Sequence, residues 1–389
     1  MHMHRLLIVL GILASLNVYV AFRIISRTDW LIRHRFCAWL MATGFFALQL
    51  TAPLGDSALF PALKKQIAME APFTVINWLS YSALGIFSCL SVYMIAADCM
   101  GAVWKRIPRA QSLPFNFERR ALLTLGAAAL GTGVTGIGQA VSGPRVRAVN
   151  IPLSGLPAGF DGFRIAQISD LHVGPTIGRD YTENVVRMVN ALKPDLIVLT
   201  GDFVDGSVRE LKDDVAPLRE LEAPHGTFFV TGNHEYYSGA AEWIDEFTTL
   251  GARVLSNEHV LIRRNNEEIV LAGVTDYSTL HMQTPDASNP KKALEGAPHS
   301  RVKVLLAHQP VSYRMAQAAG FDLQLSGHTH AGQYFPFSLF IRLFQRYYKG
   351  LNRYENMWVY VNSGTGYWGP PLRAGVPSEI TLIQLKQEA

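Results

Sequence analysis

The chain has 389 residues, 49% of them hydrophobic, and a mean hydropathy of +0.13, which is high for a soluble protein; its length allows two or three domains. The net charge of +4 is uneven: residues 1–150 carry 14 Lys and Arg against 5 Asp and Glu, and the remainder 21 against 26. The basic excess therefore flanks apolar segments, so the pI near 8.9 does not signal a nucleic-acid-binding surface. Cys37, Cys89 and Cys99 all precede residue 150, which excludes a disulfide framework or thiolate zinc site beyond it.

Three stretches, Leu6–Ile25, Phe36–Leu54 and Phe73–Ala97, approach or exceed the roughly 20 apolar residues that cross a bilayer, and each reads as a transmembrane helix. Ala121–Ser142 is long enough but rich in Gly and Ala. It reads as a fourth span or, behind Arg119-Arg120, as a twin-arginine-like export signal displaced inward. Residues 1–145 thus form a transmembrane region of about four helices. Arg23 stands at the end of the first span and Arg27, Arg33 and Arg35 follow it, and Lys105, Arg106, Arg109, Arg119 and Arg120 precede the fourth segment; both groups should be cytoplasmic. Lys64 and Lys65 are balanced by Asp56 and Glu70, so the loop between the second and third spans should face outward. The expectation is a multi-pass inner-membrane protein with everything after residue 150 periplasmic or otherwise extracytoplasmic.

Beyond residue 150 short β-rich runs alternate with helical patterns. Phe163–Ile168, Leu196–Thr200, Thr227–Val230, Val302–Ala307 and Leu323–Leu325 read as buried strands, with helices near 179–192, 209–221 and 240–249. Asn265-Asn266 between two apolar runs reads as a hairpin turn. The alternation predicts an α/β domain with functional groups in the loops at strand ends.

Five motifs occupy such ends. Ile168 leads into Asp170-Leu171-His172, Leu199 into Gly201-Asp202, Val230 into Gly232-Asn233-His234-Glu235, Leu306 into His308, and Leu325 into Gly327-His328-Thr329-His330. Each alone is commonly a turn or a cap; the five in this order, each after an apolar strand, are not accidental. Mixed oxygen and nitrogen donors without thiolate suit Mn, Fe or Zn.

These blocks resemble the signature of the calcineurin-like metallophosphoesterase superfamily over roughly residues 160–385. Ser326–Gln333 and Ser363–Ile383 are similar to closing segments of its YkuE-like, membrane-anchored bacterial branch. Ala331-Gly332 departs from the more usual Gly-Gly, at little cost unless the position requires positive φ. The resemblance implies a four-layer αββα sandwich over 150–389 and two divalent metal ions. Asp170, His172 and His330 would bind the first ion and Asn233, His308 and His328 the second, with Asp202 bridging. His234 would act on the leaving group, with Glu235 as a possible partner. The implied reaction is hydrolysis of a phosphoester or pyrophosphate by a metal-bridged hydroxide.

Other residues carry less. Asp195 reads as a turn residue and Asp205 as a loop cap or an acceptor behind the site. His225, His259, His281 and His299 read as surface or packing histidines, and Arg373 as a phosphate contact or a structural ion pair. Tyr334–Lys349 combines seven aromatics with Arg342, Arg346 and Lys349, and reads as core or as an interfacial helix or lid. Anchor and aromatic segment together point to a lipid-linked or envelope substrate. The alternatives are a soluble nucleotide phosphodiesterase and, from another class, a metal-binding sensor without catalysis. Few intramembrane charges favour a transport pathway.

Overall fold

A computed structural model describes residues 2–55, 70–104, 117–282, 284, 286–298 and 302–388. The neutral loop at 56–69, the basic residues within 105–116, and His299 lie outside them. The chain divides into two compact units, Met1–Ile137 with Gly369–Leu372, and Gly138–Trp368 with Arg373–Ala389.

The first unit is helical: His2–Ile25, Asp29–Arg33, Arg35–Gly55, Glu70–Trp104 and Phe117–Val141. Leu7–Ile25, Thr74–Val103 and Arg120–Val141 are long and apolar enough to cross a membrane. The Gly/Ala-rich segment is therefore among them. Helix Arg35–Gly55 matches the second expected span in extent but is not one of these three among the described residues. Polar side chains link the four long helices. Asn17 and Gln49 exchange amide hydrogen bonds at 3.2 Å, Tyr19 donates to Asp98 at 2.7 Å beside an Arg23–Asp98 ion pair, and Tyr93 and Thr132 share a bond of 2.8 Å. Each such bond in an apolar helix pair contributes roughly 0.6–2 kcal/mol.

The second unit contains two mixed six-stranded sheets flanked by helices, the αββα sandwich. The first has the order β1 (Arg145–Leu153), β12 (Glu379–Gln387), β2 (Arg164–Ile168), β3 (Leu196–Thr200), β4 (Thr227–Val230) and β5 (Ala252–Val254). The second has the order β10 (Gly350–Tyr354), β11 (Met357–Val361), β9 (Leu323–Ser326), β8 (Lys303–Leu306), β7 (Glu267–Gly273) and β6 (Glu258–Arg264). The run β2–β5 is parallel, as is β11–β9–β8–β7. Strands covered on both faces need no polar alternation, and every residue of β3 is accordingly buried.

Between the sheets, Ile165, Val198 and Val230 of the first meet Val304, Leu306, Leu323 and Leu325 of the second in one core. Each such side chain contributes about 1.5–3 kcal/mol by leaving water. On the outer face of the second sheet, Val270, Leu305 and Val359 cluster with Ala293, Tyr313 and Ala316 of the covering helices. On the first, Phe247 of helix Ala240–Thr249 stacks on Phe229 of β4, ring centroids 4.0 Å apart. The hairpin forms as expected: Asn265 (φ 50°) and Asn266 (φ 63°) turn β6 back antiparallel to β7, pairing Arg264 with Glu267.

Candidate metal centre

Because β2, β3 and β4 run parallel, their carboxyl ends lie along one edge; β8 and β9 do the same in the other sheet. All five motifs sit at those ends. Asp170, His172, Asp202, His328 and His330 all have positive φ, between 48° and 71°. An L-residue there gives up about 1–2 kcal/mol, a cost tolerated where surrounding bonds fix the backbone. Here the Asp170 N–H donates to Gly201 O at 2.9 Å, and the His172 N–H to Asp202 O at 3.2 Å. The His328 N–H donates to the Asp170 carboxylate at 2.8 and 3.0 Å. Glycine at 327 permits this approach: a Cβ would lie 1.9 Å from Ser169 Oγ and 2.1 Å from Asp170 Oδ2.

The predicted ligands gather into two buried groups. In one, His330 Nε2 lies 3.0 Å from His172 Nε2 and 3.4 Å from Asp170 Oδ1. In the other, His308 Nε2 lies 3.0 Å from Asp202 Oδ2 and 3.3 Å from His328 Nδ1. Three donor atoms in each group fall within 4.8 Å of one another. His308 Nδ1 donates to Thr200 O at 2.8 Å, which turns its Nε2 toward Asp202 and His328. Asn233 opens helix Asn233–Ser238, and its buried Oδ1 has no hydrogen-bond partner. The next residue's N–H, that of His234, donates to Asp202 Oδ1 at 2.8 Å, and an orphaned amide oxygen on that turn fits a divalent cation.

On protein charges alone the groups divide. Burial opposes the charged form of His308, but Asp202 and Asp170 outweigh it and hold the ring well above the usual histidine range. Burial and the charge on His308 lower His328 to about 3, so it stays neutral. His330 is likewise held low by burial and the Arg373 guanidinium. Burial pushes Asp170 up, whereas at Asp202 the neighbouring His308 and His234 override burial and hold the carboxyl well below its usual range. At His308 Nε2 a cation and a proton compete for the same position.

His234 stands at the edge of this array. Its Nδ1 lies 2.5 Å from Asp205 Oδ1 and its Nε2 4.0 Å from Asp202 Oδ2. Burial disfavours its charge, but Asp202 and Asp205 raise it to about 9. Asp205 also meets His172 Nδ1 at 3.1 Å, so it supports both rings and is not merely a loop cap. His172, Asp205 and His234 form a third group of closely placed donors. In sequence, only the spacing of Asp205 three residues after Asp202 marked it.

Among the described residues, Glu235 makes no side-chain hydrogen bond to His234. It accepts the N–H groups of Asp202, Phe203 and Gly232 at 3.0, 2.7 and 2.6 Å, tying the Asp202 turn to the Asn233 helix. Burial and the Asp202 charge push it up to about 7, against the backbone donors. Arg373 is fully buried and forms no carboxylate ion pair among the described residues. It donates to Ser363 O at 2.7 Å and Gly366 O at 3.0 Å, and its Nη2 lies 2.9 Å from His330 Nδ1. Asp195 accepts the Arg164 N–H at 2.8 Å, as a turn residue should. His225 packs on Phe163, His259 binds Ala293 O at 2.9 Å, and His281 lies by Tyr277, so all three are structural.

The calcineurin-like phosphoesterase family model matches residues 163–332. A transmembrane protein with metallophosphoesterase domain from Danio rerio is 36% identical over 325 residues, covering 80% of this chain and 74% of that protein. An uncharacterized metallophosphoesterase of Helicobacter pylori is 39% identical over 262 residues, covering 66% of this chain and 68% of its own. The uncharacterized metallophosphoesterase YkuE of Bacillus subtilis is 34% identical over 239 residues, 59% of this chain and 82% of that one. With its ligand-bearing strand ends, buried His/Asp groups and long apolar helices, the chain belongs to the calcineurin-like metallophosphoesterases, a family of metal-dependent hydrolases.

Proposed function

We propose that this protein is a membrane-anchored, binuclear metal-dependent phosphoesterase acting on a lipid-linked or envelope phosphoester or pyrophosphate. Asp170, His172 and His330 would hold one ion, Asn233, His308 and His328 the other, and Asp202 would face both. The observation that carries this reading is the two compact sets of His and Asp donors, with Asn233, whose buried Oδ1 is unpartnered, directly preceding the His234 N–H that donates to Asp202. Two bound divalent ions would lower the pKa of a shared water and neutralise phosphate oxygens.

The protein's own part is positional and acid–base. Asp205 holds Nδ1 of His234 and so leaves Nε2 free to donate to a leaving oxygen. The Asp205 carboxylate on Nδ1 favours the protonated form of the ring. Glu235 and Gly327 keep the strand-end turns in register, and Arg373 braces His330 from behind. The apolar helices support a substrate met at the bilayer.

A nucleotide phosphodiester is a second reading, favoured by Tyr237 and Trp368. Both are more than half exposed, with rings 5.2 and 5.5 Å from that of His234, where a base could stack. Full-length protein in nanodiscs with Mn, assayed against a phosphomonoester, a nucleotide phosphodiester and a lipid pyrophosphate, separates these readings. Fastest turnover of the lipid pyrophosphate is expected; preference for the nucleotide would select the second reading, and no hydrolysis of any would contradict both.

A further inference from the structure

Immediately after the last metal-binding motif, helix Phe337–Phe344 has no buried residue. Leu339, Phe340, Leu343 and Phe344 are 57%, 42%, 76% and 80% exposed. Their spacing of one, four and five residues places them on one helical face. Arg342 is exposed on the same helix and Arg346 and Lys349 just beyond it; Arg342 and Lys349 lie over the ring of Tyr348, at 5.3 and 5.8 Å. Four large apolar side chains held out from a helix of eight, with three cations around them, are costly in water and favourable at an anionic bilayer interface, where the rings and aliphatic groups enter the acyl boundary and the cations meet phosphate.

We propose that Phe337–Phe344 is an interfacial helix that seats its Leu339/Phe340/Leu343/Phe344 face in an anionic lipid surface. The occupant is lipid because the same chain carries three helices long and apolar enough to span a bilayer and because the flanking charges match acidic headgroups. The inference rests on the proposed membrane anchoring but not on the proposed chemistry. Only two residues separate His330 from Gln333, and three more lead to the helix, so a helix seated in lipid brings headgroup phosphates within reach of the strand end that carries His330.

The test uses full-length protein in nanodiscs containing phosphatidylcholine and phosphatidylglycerol, with a benzoylphenylalanine photocrosslinker at Leu343 or Phe344. Probes at Leu123, exposed within helix Phe117–Val141, and at exposed Lys291 serve as references. Lipid adducts are expected at 343, 344 and 123 and not at 291, with yield at 343 at least twofold higher than in phosphatidylcholine alone. Adducts at 123 without any at 343 or 344, or adducts at 343 to a second copy of the chain, would overturn the docking proposal while leaving the anchor intact. Equal yields in both lipids would overturn its headgroup component. No adduct at 123 would instead remove the anchoring on which the proposal rests.

Discussion

Asp205 and His234 are joined through a 2.5 Å contact between Oδ1 and Nδ1, and the same carboxylate reaches His172 Nδ1 at 3.1 Å. One side chain thus orients the proposed proton donor and one proposed ligand. Asp205→Asn keeps the shape but removes the charge that helps raise His234 to about 9. Losing a charge-assisted bond of about 1.5–3 kcal/mol predicts a kcat reduced about 10- to 100-fold at saturating metal. Because His234 would lose its proton at lower pH, the basic limb of the kcat–pH profile should also move down. Steady-state kinetics across pH checks both; an unchanged kcat and profile would remove Asp205 from the acid–base machinery.

Ala331 has φ 51°, so the one departure from the usual motif falls where positive φ is required. Ala331→Gly should relieve strain, partly offset by the greater freedom of glycine in the unfolded chain, for a net gain of up to about 1 kcal/mol. Thermal unfolding should shift upward by a few degrees. A lower Tm would mean that the neighbouring bonds, not the φ preference, dominate at this turn.

In the proposed centre Asp202 is shared by both ions, whereas Asn233 would hold only one. Asp202→Asn should therefore lower occupancy of two ions, and Asn233→Ala mainly of one. Elemental analysis of the purified variants gives the stoichiometry. Equal losses in the two variants would contradict the assignment of Asp202 as the shared ligand.

The part of the chain after helix Phe117–Val141 is proposed to lie outside the cytoplasmic membrane. Alkaline phosphatase and fluorescent-protein fusions after residues 60, 110 and 150 read this directly. The expected pattern is phosphatase activity at 60 and 150 and fluorescence at 110. Fluorescence without phosphatase activity at 150 would place the site in the cytosol and move the substrate to the inner leaflet.

The strand ends were legible because each motif follows a buried parallel strand: Leu196–Thr200 and Thr227–Val230 appear with the expected bounds, and the Asn265-Asn266 turn lies where it was read. All seven expected ligands lie at these ends; six enter the two donor groups, and Asn233 stands out as the orphaned oxygen. Asp205, Glu235 and Arg373 were harder to place because their roles depend on partners distant in sequence. Glu235 reaches back to Asp202 and Phe203, and Arg373 lies 43 residues from His330, separations that no local pattern encodes. The apolar character of Phe337–Phe344 was visible, but core and interface have the same sequence pattern until exposure is known.

The central claim is that two ions sit in the His/Asp array and that His234 acts on the leaving group without binding either. Metal content and kcat measured on the same preparations of wild-type protein and His234→Ala test it most directly. Wild type should bind two divalent ions per chain, and His234→Ala should retain both while kcat falls by about 10²–10⁴-fold. A single ion in the wild type, or loss of metal together with activity in the variant, would contradict the account.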